Sequence, residues 1–360
     1  MTAPADSKTV RELTRISAEW LAKKGLSDAR LDLELLLAEV LGCRRIDLYM
    51  DLDRPLTPDE LDRFRELLRR RGRREPVSYI LGRREFHGLT FKVTKAVLIP
   101  RPETEHLVDA AVEELTRDET GVMRRFADIG TGSGCIPIAI LKGVEEADAR
   151  AAKTRERAIA KAEARVKAAD EAREALAAAR DAGELTAEEA AEGEAAVAPE
   201  VVEIPSPLPE RQVSGVAVDI SPEALGIAAE NRATHGLDDR LELCEGDLCG
   251  PLMGRGPFDV ITSNPPYVTA RERADMEPEL TEHEPHIALF DRAEDGLDIT
   301  RRLLAEAREH LKPGGLLLIE LGAGRGPKAL KLAADQGYVE ARLIRDYGGH
   351  ERVLVARTPR

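Results

Sequence analysis

From residue 126 onward, short apolar runs alternate with segments of helical periodicity. This alternation is typical of a parallel sheet covered by helices, because parallel neighbours are joined by crossovers and a helix is the usual crossover. Strands are predicted at 125–129, 213–219, 241–244, 258–263, 315–320, 339–344 and 353–356. The turn-like residues 346–349 separate the last two strands, so an antiparallel hairpin is predicted to close the sheet.

The first hundred residues have a different pattern. Apolar residues recur at helical spacings between residues 9 and 71, which predicts a helical domain over 1–75. Thr57 followed by Pro58 and, three residues on, Glu60 is typical of a helix start. Aromatic and aliphatic residues around Gly82 and Gly88 then predict a β-hairpin linker over 76–100. The α/β domain is predicted to occupy 101–360.

One segment, about 144–210, interrupts the α/β rhythm. It is rich in Ala, Glu, Lys and Arg and has no aromatic residue. We interpret it as an exposed helical hairpin inserted after the first crossover helix, with a break at 181–183 and capping-box spacing between Thr186 and Glu189. A coiled-coil arm that binds a partner is the alternative. No apolar heptad runs through the segment, which favours a solvated spacer.

Charge and composition limit the partners. The 360 residues carry a formal charge of −14, which argues against a surface that neutralises many phosphates, so no direct nucleic-acid binding is expected and a protein partner is favoured. The arginine cluster at 69–74 is an exception to this acidic composition. We interpret it as a solvated helix end whose positive charges complement the helix dipole, in preference to a contact with an acidic partner.

No apolar run reaches membrane-spanning length and no apolar leader opens the chain, so no membrane association is expected and a cytoplasmic location is predicted. The four cysteines, which lack metal-ligand spacing, predict free thiols and no metal site.

A glycine-rich turn follows the first predicted strand. Gly130, Thr131, Gly132, Ser133 and Gly134 connect it to an apolar helix start. Glycines there let the backbone turn sharply and approach a ligand at the mouth of the sheet. Dinucleotide-binding turns and plain tight turns share this pattern, but the turn has no phosphate-loop lysine, which counts against a nucleotide triphosphatase.

Acidic residues follow the next two strands. Asp219 ends the second strand, where a carboxylate accepts both hydroxyl hydrogens of a ribose. Asp247 follows the third strand and is a candidate acceptor for an adenine amino group, with Leu248 beside it to pack on the ring. Helix capping for Asp219 and an unliganded loop for Asp247 are the alternatives.

The most specific motif comes directly after the fourth strand. Asn264, Pro265, Pro266 and Tyr267 lie at the strand's carboxyl end, the edge where open α/β sheets bind ligands. The prolines fix φ and keep neighbouring carbonyls out of the ladder. The Asn264 side-chain oxygen and one such carbonyl can each accept a hydrogen from a planar NH₂ group, and Tyr267 can offer it a flat face.

These four residues are the predicted catalytic set, because an amide nitrogen attacks a sulfonium methyl poorly unless acceptors return electron density to it and hold it in line. A strong resident base is not required for such an attack. The sequence therefore predicts transfer of a methyl group from S-adenosyl-L-methionine to a planar amide or amino nitrogen of a macromolecule.

With these motifs in place, the chain resembles the PrmC/HemK family of release factor glutamine methyltransferases. The resemblance extends over most of the chain outside the insertion and includes residues 75–82, 84–86, 98–105, 284–289, 312–315 and 345–347. It implies a Rossmann-like, seven-stranded class I methyltransferase domain of α/β class over 101–360, preceded by a helical substrate-docking domain.

The resemblance also implies a substrate and a distribution of roles. The substrate is the glutamine in the Gly-Gly-Gln loop of peptide chain release factors, and we expect the enzyme to act as a monomer. Contacts to the S-adenosyl-L-methionine cofactor are implied for Gly130 to Gly134, Asp219, Asp247, Leu248 and Asn264, and the glutamine pocket for Asn264 to Tyr267. The stretch 99–105 would wall the cofactor side.

Three other interpretations stay open at this point. An exocyclic NH₂ group of a nucleic-acid base is also planar and fits the same acceptors, but it needs an extruded base and a basic track beside the pocket. A glutamine of a ribosomal protein is a closer alternative. The third, non-enzymatic alternative is that the chain is an interaction protein that acts through its helical insertion.

Overall fold

The computed structural model describes residues 8–26, 29–117, 123–196 and 211–360. The chain begins with a small helical bundle. Thr9 and Thr57 cap two of its helices with capping boxes, and Pro58 opens the second of these, as predicted. Buried leucines and Phe64 fill its core. The bundle helices are α1 (Val10–Ala22), α2 (Ala29–Leu41), α3 (Pro58–Gly72) and α4 (Val77–Leu81).

An antiparallel hairpin follows, formed by β1 (Arg83–Phe86) and β2 (Leu89–Lys92). The predicted hairpin began at residue 76, whereas the structure has the short helix α4 first. Pro76 precedes α4 with extended dihedrals, and Gly82, at a φ of 70°, ends it. A positive φ suits glycine, so this helix ends where the hairpin begins.

The rest of the chain contains one seven-stranded sheet in the order β5-β4-β3-β6-β7-β9-β8. β9 runs antiparallel to β7 and to β8, which confirms the predicted closing hairpin. Every predicted strand is present, with ends that differ by up to four residues. The strands are β3 (Arg124–Ile129), β4 (Val213–Asp219), β5 (Leu241–Glu245), β6 (Phe258–Ser263), β7 (Leu311–Glu320), β8 (Val339–Arg345) and β9 (Glu351–Arg357).

Helices cover both faces of the sheet. Alternate strand residues face opposite sides, so Phe126 joins a core with α5 and α6, whereas Ala127 joins a core with α11 and α12. Their bounds, with those of the remaining helices, are α5 (Glu105–Thr116), α6 (Cys135–Asp181), α7 (Ala187–Ala196), α8 (Pro222–Thr234), α9 (Pro278–His283), α10 (His286–Leu289), α11 (Asp298–Glu306) and α12 (Gly326–Asp335).

The insertion is helical, and its first arm is a direct continuation of the crossover helix. α6 runs for 47 residues, and beyond Val144 only Ala169 is buried. No Gly or Pro occurs between Gly143 and Gly183, so nothing ends the helix where the insertion was predicted to begin. α7 folds back with Leu176 against Gly193, and Thr186 and Glu189 cap it as predicted. The end of the insertion, 197–210, lies outside the described residues.

All four cysteines are free thiols, as predicted; Cys43 is half-buried and the others are buried. Burial raises the pKa of the Cys135 thiol to about 12, so this thiol stays protonated at neutral pH. Among the described residues, no helix is long and apolar enough to cross a membrane.

The arginine cluster joins the helical bundle to the α/β domain. Arg71 is buried and donates to Asp32 at 2.6 Å and to Glu279 of α9 at 3.2 Å. Arg74 reaches the other Glu279 oxygen at 3.1 Å. The predicted solvated helix end therefore describes Arg69, which is exposed, but not Arg71, because two distant carboxylates draw that side chain inward.

We expect Arg71→Ala to lower the free energy of unfolding by about 3 kcal/mol, because it leaves two carboxylates without their buried partner. Arg69→Ala is the matched control, since exposed ion pairs contribute little, and it should change stability by less than about 0.5 kcal/mol. Urea denaturation of both variants measures the difference. Equal stabilities of the two variants would contradict this account of the contact.

Removing residues 151–209 and joining the ends with a short Gly-Ser linker should shift the melting temperature by less than about 4 °C, because α6 buries only Ala169 beyond Val144. The linker is short because Asp148 and Arg211 already form an ion pair. A control deletion that also removes 141–150 takes away buried Leu141 and Val144 and should be strongly destabilising. If the two deletion variants have the same melting temperature, the segment 151–209 contributes to the core.

Candidate active site

A cavity of about 690 Å³ opens at the carboxyl ends of the parallel strands. The loops after β3, β4, β5 and β6 form its inner wall, and residues 96–101 and 285–292 form much of the rest. The connections leave in opposite directions from β3 and β6, which are neighbours in the sheet although β4 and β5 lie between them in the chain. Open α/β sheets bind ligands at such a switch point.

The glycine turn after β3 forms one wall. Gly130 and Gly132 have φ of 74° and 55°, which L side chains rarely adopt, and both line the cavity with Thr131 and Ser133. Gly134 lies behind the wall, where a Cβ would come within 3.3 Å of Ala228 on α8. The first two glycines thus allow the turn, and the third allows close packing of α8.

Asp219 organises the neighbouring loop. Its two carboxylate oxygens accept from the backbone N–H groups of Gly132, at 2.7 Å, and Ser221, at 2.9 Å. Burial raises the pKa of this carboxyl, and the backbone hydrogen bonds oppose the rise. Each oxygen of a carboxylate accepts two hydrogen bonds, so Asp219 keeps acceptor capacity at the cavity wall.

Asp247 and Leu248 also line this cavity. Asp247 is paired with Arg302 on α11 at 2.7 Å, a partner that no sequence pattern indicated. Leu248 has a φ of 43°, which is rare for a residue with a branched side chain. Such strain is stored where a loop must hold a side chain in one place.

The Asn264 corner, residues 264–267, meets the cavity through Asn264 and Pro266. The Asn264 side-chain NH₂ donates to the Thr104 hydroxyl at 3.1 Å, which leaves Oδ1 as its free acceptor. The carbonyls of Pro265 and Pro266 accept no hydrogen bond from any described residue outside the sheet ladder. Unpaired acceptors of this kind are costly unless water or a ligand satisfies them.

Tyr267, like Pro265, does not line the cavity that Asn264 and Pro266 reach. Its carbonyl accepts from the buried Arg325 at 2.8 Å, and that guanidinium lies 5.8 Å from the centre of its ring. Burial raises the pKa of the phenol to about 12. The structure brings together Gly130 to Ser133, Asp219, Asp247, Leu248, Asn264 and Pro266, and puts Gly134, Pro265 and Tyr267 just behind them.

From the sequence, we assigned no role to two buried carboxyl groups at this edge of the sheet. Asp128 accepts from the Thr262 hydroxyl at 2.7 Å, and burial raises its pKa to about 7. Glu320, the last residue of β7, is also buried, and burial raises its pKa to about 7. The signal that could have found Glu320 is its position, because a carboxylate that ends a parallel strand lies at the ligand-binding edge.

The outer wall is tied down by Glu284, which is buried and accepts from the backbone N–H of Ile99 and from Arg101. This contact joins the segment before α10 to residues 98–101. Ile287 stays 60% exposed at the cavity rim, and Arg273 stacks over Phe290 at 4.8 Å.

This sheet order, with a glycine turn, an acidic second strand and an Asn-Pro-Pro-Tyr corner at one edge, defines a class I methyltransferase fold. Residues 12–82 match the family model described as PrmC N-terminal domain. A release factor glutamine methyltransferase from Geobacter sulfurreducens is 34% identical over 357 residues, which cover 99% of each chain. One from Rhodopirellula baltica is 35% identical over 348 residues and covers 96% of this chain and 95% of the relative.

A release factor-specific protein-(glutamine-N5) methyltransferase from Alicyclobacillus acidocaldarius is among the similar solved structures, with 24% identity, a TM-score of 0.34, and coverage of 75% of this chain and 100% of that one. The near full-length relatives decide the family. The chain belongs to the release factor glutamine methyltransferases.

Proposed function

We propose that this protein transfers the methyl group of S-adenosyl-L-methionine to the side-chain amide nitrogen of the glutamine in the Gly-Gly-Gln loop of peptide chain release factors. The observation that carries the proposal is the Asn264 corner, whose unpaired acceptors lie at the same cavity as the glycine turn and Asp219. Near full-length similarity to release factor glutamine methyltransferases supports the choice of acceptor.

The cavity residues fit the proposed cofactor. Asp219, with spare acceptor capacity, would hold the ribose hydroxyls, and the Gly130 to Ser133 turn would take the amino acid portion against its backbone. Asp247 has one carboxylate oxygen that Arg302 does not use, which would accept from the adenine amino group, and Leu248 would pack on the ring. S-adenosyl-L-methionine supplies an electrophilic methyl group when it is bound.

On the substrate side, Asn264 Oδ1 and a proline carbonyl of the corner would accept the two hydrogens of the glutamine NH₂ group. These hydrogen bonds return electron density to a nitrogen whose lone pair is delocalised into its carbonyl. They also fix its direction of attack, and alignment of bound reactants supplies roughly 7–11 kcal/mol in favourable cases. The nitrogen loses a proton after transfer, so no strong base is needed beside it.

The proposal assigns docking of the release factor to the helical domain, 1–75, with 76–100 as linker and 101–360 as catalytic domain. The charge of −14 fits a protein partner better than a nucleic acid. The arginine cluster supports this view, because Arg70, Arg71 and Arg74 are engaged with Glu75, Asp32 and Glu279. Monomeric action stays a prediction.

The other acceptors can be separated by experiment. A base NH₂ group, a ribosomal-protein glutamine and a release factor glutamine would all present a planar nitrogen to the same acceptors. Parallel incubations with single-stranded nucleic acid, ribosomes and release factor distinguish them. An interaction protein acting only through its insertion would bind no cofactor at all.

Incubation with purified release factor and S-adenosyl-L-methionine should add one methyl group to the peptide that contains Gly-Gly-Gln, as read by mass spectrometry. The product should disappear when the target Gln is replaced by Ala in the release factor. Asn264→Ala should lower kcat by about 100-fold or more, because the nitrogen loses both an acceptor and its alignment. Methylation of the release factor that persists after the Gln replacement would contradict the proposed substrate.

We expect Asp219→Ala to weaken binding of S-adenosylhomocysteine by roughly 10- to 100-fold, the cost of losing hydrogen bonds to a charged acceptor. Isothermal titration calorimetry measures it. Asp239→Ala, at an exposed position before β5, is the matched control and should bind like the unchanged protein. Equal affinities for the two variants would show that Asp219 only orders the loop.

A further inference from the structure

Thr104 ends a short 3₁₀ turn, Pro102–Thr104, that leads directly into α5. Its own dihedrals are helical, and its hydroxyl makes no hydrogen bond to the first turn of α5. The side chain is buried and lines the cavity, and its hydroxyl accepts from the Asn264 NH₂ group at 3.1 Å. Helix capping therefore does not account for this hydroxyl.

The direction of that contact matters for the reaction. An Asn side chain has an acceptor at one end and a donor at the other, and the two ends have nearly the same shape. If the amide were rotated by half a turn, Asn264 would present its own NH₂ group to the NH₂ group of the substrate, and two donors would face each other. Something must therefore favour the rotamer that presents Oδ1 to the cavity.

Glu320 supplies the bias. It ends β7 directly after Ile319, which lies in register with Ser263, so Glu320 stands beside Asn264 at the ends of neighbouring strands, and hydrogen bonding from Thr104 lowers the pKa of its carboxyl. Glu320 Oε2 is buried and has no hydrogen-bond partner among the described residues, so this carboxylate keeps an acceptor for a hydroxyl proton. A hydroxyl proton attracted to a carboxylate leaves only lone pairs for Asn264, and lone pairs accept from NH₂.

We propose that Thr104 and Glu320 are positioning residues: Glu320 draws the Thr104 hydroxyl proton, Thr104 then accepts from the Asn264 NH₂ group, and Asn264 Oδ1 is thereby directed at the substrate nitrogen. The inference rests on the proposed function, because only an acceptor role for Asn264 requires this rotamer. Neither Thr104 nor Glu320 touches the reacting atoms.

The arrangement depends on the charge of Glu320. A protonated carboxyl would donate to the Thr104 hydroxyl, which could then donate to Asn264 Oδ1 and turn the amide around. Burial and the charge of Glu103 raise the pKa of Glu320. Thr104, Arg352 and Arg101 lower this pKa, and the resulting value is about 7. The charge of Glu320 also raises the pKa of Tyr267 and the pKa of Cys135. Because the charged form is the active one, kcat should fall as pH falls through about 7.

The test compares Thr104→Val, Thr104→Ser and a control, Thr116→Val, which removes a hydroxyl bonded to Val112 near the other end of α5. Thr104→Val should lower kcat about three- to tenfold, the equivalent of one lost hydrogen bond, with KM for release factor and affinity for S-adenosylhomocysteine unchanged. Thr104→Ser should recover most of the loss, and Thr116→Val should behave like the unchanged protein. Circular dichroism melts confirm that each variant folds.

Two further measurements separate positioning from a structural role. In an Asn264→Ala background, Thr104→Val should cause no further loss, because there is no amide left to orient. Glu320→Gln should remove the dependence of kcat on pH around 7 that the unchanged protein shows. A Thr104→Val enzyme with normal kcat, a full additional loss in the Asn264→Ala background, or an unaltered pH profile in Glu320→Gln would overturn the inference.

Failure of the proposed function gives a different result. If the unchanged protein adds no methyl group to the Gly-Gly-Gln peptide, or if Asn264→Ala is as active as the unchanged protein, the acceptor role of Asn264 is wrong whatever the Thr104 variants do. If Asn264→Ala is strongly impaired while Thr104→Val is normal, the function stands and the positioning role alone is wrong.

Discussion

The parallel pairing of β3 with both β4 and β6 is the constraint on which the active site depends. Ile129 lies in register with Val218 on one side and with Ser263 on the other, so the glycine turn, Asp219 and Asn264 begin at the same height. The N–H groups of Gly130 and Thr131 both donate to Val218, which ties the turn to β4. A slip of one residue would turn these side chains to the other face.

The same geometry explains how the chain accommodates a long insertion. α6 begins at the ligand-binding edge and packs on the sheet only as far as Val144. There, Glu145 pairs with Arg240 just before β5, and Asp148 pairs with Arg211 just before β4. The arm therefore leaves the domain at the edge opposite the cavity, where additional helix disturbs neither the sheet nor the site.

Periodicity and turn chemistry were sufficient to predict the strands, the closing hairpin, the capped helices and the part of the cavity wall that follows β3, β4, β5 and β6. They missed α4, because a five-residue helix is too short to show a period. They also missed the contacts of Arg71, Arg302 and Thr104, whose partners lie up to 208 residues away in the chain. Such contacts arise only after folding, so no local pattern records them.

Tyr267 shows the same limit within a recognised motif. Its position beside Asn264 predicts a flat face toward the substrate, and that role stays a prediction. The motif did not indicate the contact with Arg325, a residue of the loop before α12, whose guanidinium lies 5.8 Å from the centre of the ring. Adjacent residues after a strand point in different directions, and the tertiary environment decides which of them reaches the ligand. Asn264 and Pro266 line the cavity, whereas Pro265 and Tyr267 do not.

The most direct test of this account is a crystal structure of the protein with S-adenosylhomocysteine and a release factor bound together. We predict that the NH₂ group of the Gly-Gly-Gln glutamine donates to Asn264 Oδ1 and to a proline carbonyl of the corner, with its nitrogen facing the cofactor sulfur. A glutamine bound elsewhere, or an Asn264 amide that presents its NH₂ group to the substrate, would contradict it.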